Sequence, residues 1–106
     1  KFIRCVKGAV LDVIIDMRPD SPTFLKHFGV ELSAENGRAI YVPDRCAHGN
    51  QALADHSELL YLMGGLYTPG YERGVRYDDP AVGIEWPLSV SVIHPKDLEW
   101  PPIQQP

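Results

Sequence analysis

The sequence predicts an all-β domain, and three observations lead to this fold class. Ten prolines and nine glycines are spread along the 106 residues and separate short apolar runs. Several runs alternate apolar and polar residues, which is the period of a half-buried strand. No run has the period of a convincing amphipathic helix. Short strands with regular turns are typical of a β-sandwich or a β-barrel, and the jelly roll is one such barrel.

Strands are expected wherever an apolar run lies between turn residues. These runs are residues 2–6, 9–17, 24–32, 39–42, 49–53, 58–63 and 88–93. Lys7-Gly8 predicts the first turn, and RPDSPT at 18–23 predicts a loop because its prolines remove backbone donors. Asn36-Gly37 predicts a tight hairpin between the third and fourth strands, since this pair readily adopts positive φ.

The second predicted strand has two distinct faces, because side chains alternate across a strand. One face carries Leu11, Val13, Ile15 and Met17, and the other carries Asp12, Ile14 and Asp16. The sequence gives no role to the two aspartates.

Composition indicates one globular domain. A hydrophobic content of 44% and a charged content of 23% are ordinary for such a domain. The net charge of −4 argues against a nucleic-acid partner, and no apolar run is long enough to cross a membrane. Cys5 and Cys46 are too few for a disulfide framework, so we expect reduced thiols and a cytoplasmic location.

The predicted domain covers residues 1–98, and EWPPIQQP at 99–106 is expected to form a proline-rich, polyproline-like tail. The chain starts at Lys1 rather than at Met and enters a strand-like run at once. This beginning is typical of a fragment.

Two side chains are candidates for chemistry from their local context. Tyr67 follows a Gly-Gly pair and precedes Pro69, so its hydroxyl is expected at a strand end, where it can donate a proton. His48, in the segment VPDRCAHGN between two predicted strands, is expected at a barrel opening. An arbitrary tyrosine or histidine is more often structural.

Other common sites are not indicated. The histidines are His27, His48, His56 and His94, and their scattered positions make a metal site unexpected. The sequence has no glycine-rich phosphate loop and no Cys-x-x-Cys pair, so no cofactor is implied. Asp78-Asp79-Pro80 predicts a turn rather than a pair of catalytic carboxylates.

The segment 66–87, LYTPGYERGVRYDDPAVGIEWP, carries a resemblance to a known family. It is similar to the signature Y-x-P-x-x-E-x-G-I/V-x-W/Y-x-D-P-x-I/V-G-I-x-W-P of the dTDP-4-dehydrorhamnose 3,5-epimerases. KFIRCVKGAVLDVIIDMRPDSPTF and VELSAENGRAIYVP extend the similarity in the same order. His48-Gly49 is similar to the family's Ala-His-Gly segment, although Asn50 stands where the family usually has Phe.

The resemblance implies a cupin-type jelly-roll barrel, a homodimer and a dTDP-4-keto-6-deoxyhexose substrate. It implies that Tyr67 is the proton donor, that Lys1 stabilises an enolate oxygen and that Asp97 orients a catalytic histidine. His48 and Lys96 are expected to bind substrate. The family's proton-abstracting histidine lies in an Arg-Gly-x-His segment upstream of the part that Lys1 begins. We therefore expect this chain to lack the family's N-terminal strands and to be impaired or inactive by itself.

Three interpretations remain open at this point. The chain is a 3,5-epimerase or a single-centre epimerase, represented by its C-terminal part. Alternatively, it is a non-catalytic sugar-nucleotide-binding or assembly module that has lost the base. In the third interpretation His48 serves as the base.

Overall fold

The computed structural model describes residues 1–63 and 74–103, and in this part of the chain the fold is almost entirely β. The strands are β1 (Phe2–Lys7), β2 (Ala9–Asp16), β3 (His27–Ser33), β4 (Ala39–Tyr41), β5 (Cys46–Ala52) and β6 (Glu58–Leu62), followed by a 3-10 helix at Pro95–Leu98. They form two antiparallel sheets with the orders β4-β1-β6 and β3-β2-β5. The predicted all-β class is confirmed.

Consecutive strands β1 and β2 belong to different sheets, and the chain passes from one sheet to the other in the turn at Gly8. Gly8 has a φ of 76°, and a side chain there would overlap Ser57 Oγ. The same hydroxyl oxygen accepts from the backbone N–H of Ala9 at 3.2 Å. A residue without a Cβ is therefore needed for the chain to cross from one sheet to the other at this point.

The apolar core lies between the two sheets. Its buried members come from both sheets and from the ends of their strands: Ile3, Cys5, Val10, Leu32 and Val42. In β1 the buried residues alternate with exposed ones, as a strand with one solvent face requires. Strand β2 is buried on both faces, because one face packs in the core between the sheets and the other lies beside residues from 74 onward.

The turn at Asn36-Gly37 forms, but the predicted hairpin is wrong. Asn36 Oδ1 accepts from the N–H groups of Ser33 and Arg38, at 3.1 and 2.9 Å. However, β3 pairs with β2 and β4 pairs with β1. The turn therefore links the two sheets, as the core requires, instead of joining neighbouring strands.

Two strand boundaries differ from the prediction because of turn chemistry. Strand β3 starts only at His27, since Leu25 has a φ of 65° and Lys26 N donates to Thr23 O. Strand β5 starts earlier than predicted, at Cys46. His48 is consequently inside a strand, not in a loop between two strands.

The strand predicted at 88–93 does not form. The backbone N–H and C=O of Leu88 both bond to the side-chain amide of Gln51, at 3.1 and 2.8 Å. The amide thus occupies the two groups with which a strand ladder would begin, and the alternating apolar side chains face outward, with Val92 92% exposed. Apolar alternation alone predicted a strand here, but a strand also needs a backbone partner.

Both cysteines carry free thiols, Cys5 in the core and Cys46 half-buried. Among the described residues, no helix has the length and apolarity that crossing a membrane would require.

Candidate functional site

A cavity of about 520 Å³ opens beside strand β5. Residues from the start of the chain, from β5 and from the C-terminal segment line it, including Lys1, His48, Asn50, Trp86, Asp97 and Trp100. Three residues predicted to act in a site, far apart in sequence, therefore share one cavity.

Lys1 is held firmly although it is the first residue. Its terminal amino group donates to Val42 O at 3.2 Å, and Val42 N donates to Lys1 O at 2.7 Å. These bonds continue the β1–β4 ladder by one position. The Lys1 side chain is thereby directed at His48, with 3.0 Å between Lys1 Nζ and His48 Nε2.

This contact determines how the His48 ring is arranged. A lysine ammonium has only donors, so His48 Nε2 must accept and the ring hydrogen must be on Nδ1. Nδ1 in turn lies 3.6 Å from Asp12 Oδ1. The three side chains form a row, Asp12–His48–Lys1, in which each polar atom faces the next.

Asp12 is the functional candidate that the sequence analysis missed. It is 0% exposed, and neither of its carboxyl oxygens has a hydrogen-bond partner among the described residues. The register places it opposite Asn50, and its neighbour on the same face, Ile14, opposite His48. Its signal in the sequence is an aspartate within an apolar strand, because a carboxyl group is rarely buried there without a purpose.

Tyr61 and Asn50 add polar groups next to this row. Asn50 Nδ2 donates to Tyr61 Oη at 3.2 Å, and Lys1 Nζ lies 5.9 Å from the centre of the Tyr61 ring. The His48 and Tyr61 rings are 6.3 Å apart and tilted. Asn50, where the family usually has Phe, therefore makes this side of the cavity more polar.

Asp97 and Lys96 belong to the 3-10 helix at Pro95–Leu98. His94 caps this helix, because its Nδ1 accepts from Lys96 N at 3.1 Å. Asp97 lines the cavity, whereas the exposed Lys96 is not among its lining residues. The roles predicted for both residues stay predictions. Tyr67, the predicted proton donor, lies outside the described residues.

Within residues 1–63 and 74–103, no three His, Cys, Asp or Glu side chains are grouped so that they could hold a metal ion. The cavity instead has hydrogen-bond donors and acceptors, among them Lys1 in contact with His48, and two indole rings.

Comparison with known proteins identifies the fold and the family. The sequence profile of the dTDP-4-dehydrorhamnose 3,5-epimerases matches residues 1–105. The dTDP-4-dehydrorhamnose 3,5-epimerase of Shigella flexneri is 43% identical over 98 residues, which are 92% of this chain and 54% of that protein. The dTDP-4-dehydrorhamnose 3-epimerase of Streptomyces niveus is 39% identical over 99 residues, or 93% and 48% of the two chains.

A solved structure gives the same result. The dTDP-6-deoxy-D-glucose-3,5-epimerase of Legionella pneumophila, crystallised with dTDP-4-keto-L-rhamnose, superposes with a TM-score of 0.87 at 38% identity. The match covers 92% of this chain and 52% of that one. The chain thus spans about half the length of the relatives it matches.

The two sheets and the cavity beside strand β5 define a cupin-like domain of the kind found in sugar-nucleotide epimerases. The chain belongs to the dTDP-4-dehydrorhamnose 3,5-epimerase family. The resemblance and the cupin-type fold expected from the sequence motifs are confirmed.

Proposed function

We propose that this chain forms the substrate-binding and oxyanion-stabilising part of a dTDP-4-keto-6-deoxyhexose epimerase. The observation that carries the proposal is the row Asp12–His48–Lys1 in the cavity, in a chain of this family. The Legionella relative was crystallised with a dTDP-4-keto sugar, which supports the substrate class. The Streptomyces niveus relative is named a 3-epimerase, so inversion at one or at two centres stays open.

Lys1 has the chemistry that enolate formation requires. A base removes the proton on a carbon next to the ketone, and the electron pair moves onto the carbonyl oxygen. Lysine has three N–H donors, of which one bonds to His48, and two are left for that oxygen. Donors aimed at a developing oxyanion contribute several kcal/mol in a site shielded from water.

His48 is better suited to hold Lys1 than to act as the base. Its Nε2 lone pair, the one a base would use, accepts from the Lys1 side chain. Its Nδ1 faces the buried Asp12 and cannot reach substrate at the same time. This geometry counts against the third interpretation, in which His48 takes the proton.

The remaining roles rest on the resemblance. We propose Tyr67 as the acid that returns a proton to the opposite face of the sugar, and Lys96 as a substrate-binding residue. Asp97, on the cavity wall, would orient the family's upstream histidine and raise its basicity. Turnover would then need an Arg-Gly-x-His segment in addition to residues 1–106.

The test uses an extended enzyme, defined as this chain preceded by a family N-terminal segment that contains Arg-Gly-x-His. NMR of dTDP-4-keto-6-deoxyglucose in D₂O follows deuterium entry at C3 and C5 of the sugar. We expect exchange with the extended enzyme and none with residues 1–106 alone. Lys1→Met in the extended enzyme should slow exchange about 100-fold, the effect of losing one oxyanion donor.

The outcomes separate the interpretations. Exchange at both carbons indicates a 3,5-epimerase, and exchange at one indicates a single-centre enzyme. Substrate binding without exchange in the extended enzyme would favour the binding module and refute the proposal. Exchange by residues 1–106 alone, abolished by His48→Gln, would restore His48 as the base.

We also propose that the chain is a homodimer or a higher homo-oligomer and acts in the cytoplasm. The outer face of the β4-β1-β6 sheet supports association, because Phe2 lies opposite both Tyr41 and Leu62 and all three are exposed. Exposed apolar patches of this kind commonly mark interfaces. Sedimentation equilibrium checks this, and a monodisperse monomer would contradict it.

A further inference from the structure

The C-terminal segment at 95–103 is fastened to the domain at two points. It contains little regular structure of its own, only the four-residue helix at Pro95–Leu98. Apart from the bonds to the adjacent His94, two hydrogen bonds among the described residues join it to the rest of the domain, and both are made with side chains of the turn at 76–79.

The first point is the Arg76 guanidinium. Its Nη1 donates to Leu98 O at 2.7 Å, while its Nε donates to Asp78 Oδ1 at 2.6 Å. Asp78 therefore holds the planar guanidinium so that its other edge meets the carbonyl that follows Asp97. The hydrogen bond between them lowers the pKa of Asp78 and raises the pKa of Arg76. Arg76 is itself part of the cavity wall.

The second point is Asp79, whose side chain is buried, with 4% exposure. Its Oδ2 accepts from Ile103 N and its Oδ1 accepts from Ala81 N, both at 2.9 Å. Each oxygen of this buried carboxyl group is thus matched to a backbone N–H, as burial of a polar group requires. Oδ1 stabilises the turn, and the bond that Oδ2 makes among the described residues holds the C-terminal segment.

Trp100 lies between the two fastened positions and lines the cavity together with Asp97. Its indole packs directly against Gly74, where any Cβ would overlap the ring. The position of Trp100 thus depends on the same segment, 74–79, that provides the two hydrogen bonds.

We propose that Arg76 and Asp79 are positioning residues that clamp the segment carrying Asp97 and Trp100 into the wall of the candidate site. The inference rests on the proposed function in taking that wall to be where the sugar nucleotide binds. The sequence predicted Asp78-Asp79-Pro80 only as a turn. In this proposal the turn also holds one wall of the cavity in place.

The test uses the 106-residue chain labelled with ¹⁵N, with the two indole N–H signals as reporters. Trp86 Nε1 donates to Tyr77 O at 2.9 Å, so its signal reports whether the turn at 76–79 itself keeps its fold. Ile103→Pro removes the N–H that Asp79 holds, and Ile103→Ala, which keeps it, is the matched control. Arg76→Met removes the other bond, and Arg76→Lys restores a donor. None of these changes touches the apolar core.

We expect Ile103→Pro and Arg76→Met each to accelerate solvent exchange of the Trp100 indole N–H at least tenfold, as release from a packed position allows. The Trp86 signal should not move. Titration with dTDP should shift the Asp97 amide signal of the unsubstituted chain, and both variants should weaken that response about fivefold. Ile103→Ala should match the unsubstituted chain, and Arg76→Lys should recover part of the response.

Unchanged Trp100 exchange in both Ile103→Pro and Arg76→Met would overturn the clamp. Release of Trp100 with an unchanged response to dTDP would overturn its role in positioning the site. If dTDP shifted no signal in the unsubstituted chain, the proposed function would be in error, and Trp100 exchange would still decide whether the clamp exists.

Discussion

Asp12 and Asp16 lie on the same face of strand β2, four residues apart, but their carboxyl groups have opposite surroundings. Asp16 accepts five hydrogen bonds, from the backbone and side chain of Arg18 and from the hydroxyls of Ser21 and Thr23. Asp12 accepts none among the described residues and lies 3.6 Å from His48 Nδ1.

The difference separates a structural carboxyl group from a functional candidate. The loop at 18–23 surrounds Asp16 with donors, and this fixes where the chain turns toward β3. Buried polar groups in native proteins normally have partners, so an unpartnered one calls for an explanation. For Asp12 the explanation consistent with the cavity is that it orients His48, whose contact then places Lys1.

The largest expected effect is on catalysis, from Asp12→Asn in the extended enzyme. Asn keeps the shape but can present an NH₂ group, in place of a carboxyl oxygen, to His48 Nδ1. We expect deuterium exchange into the substrate to slow by up to about 100-fold, the cost of misplacing a catalytic group such as Lys1. The imidazole ¹⁵N shifts of His48 should report a changed tautomer. Asp16→Asn is the control, and an equal loss of rate there would remove the distinction between the two aspartates.

The next effect is on stability, where Asp16→Asn is expected to matter more than Asp12→Asn. Asp16→Asn replaces an oxygen acceptor by an NH₂ group among donors, so we expect the thermal midpoint to fall on the order of 10 °C. Asp12→Asn exchanges a buried carboxyl group for an amide and breaks no hydrogen bond among the described residues, so we expect it to be neutral or to stabilise by about 1 kcal/mol. Circular dichroism melts of the two variants check this. A larger loss for Asp12→Asn would show that its carboxyl group is structural.

Acid titration of the unsubstituted chain tests the contacts of Asp16. The hydrogen bond from Arg18, followed by those from Ser21 and Thr23, holds the pKa of Asp16 far below its ordinary value of 3.8. Because the folded pKa lies below the unfolded one, this stabilisation is complete above about pH 4 and decreases as the pH falls toward the folded value. Urea midpoints measured downward from pH 5 should therefore decline, and Asp16→Asn should flatten that decline. Equal slopes in the two chains would contradict this account.

The sequence predicted most strands because their apolar runs have the right period. The prediction failed where the structure depends on which distant segment pairs with the backbone. Alternation in 88–93 is as regular as in β2, but Gln51 occupies the backbone of Leu88. Asn36-Gly37 predicted a turn correctly, yet which sheet each neighbouring strand joins depends on pairing between distant residues.

The candidate site, like the fold, was predictable from the sequence only in part. Motifs pointed to Lys1, His48 and Asp97, and the structure brings these three to one cavity. Asp12 was not found, because its role depends on the register that sets β2 against β5, and local sequence carries no register. A carboxyl group in an apolar run such as LDVIID is nevertheless a signal of a buried polar site.

The smallest expected effect comes from removing one of the five bonds to Asp16. Thr23→Val deletes the hydroxyl that donates to Asp16 Oδ2 at 2.5 Å and keeps the shape of the side chain. Since four bonds remain, we expect the thermal midpoint to fall by only about 3 °C, whereas Thr23→Ser should leave it unchanged. A fall as large as that of Asp16→Asn would show that the five bonds act as one cooperative network, in which any missing donor releases the loop. In that case Asp16 and its loop would stabilise the strand end as a single unit, and the contrast with Asp12 would be sharper still.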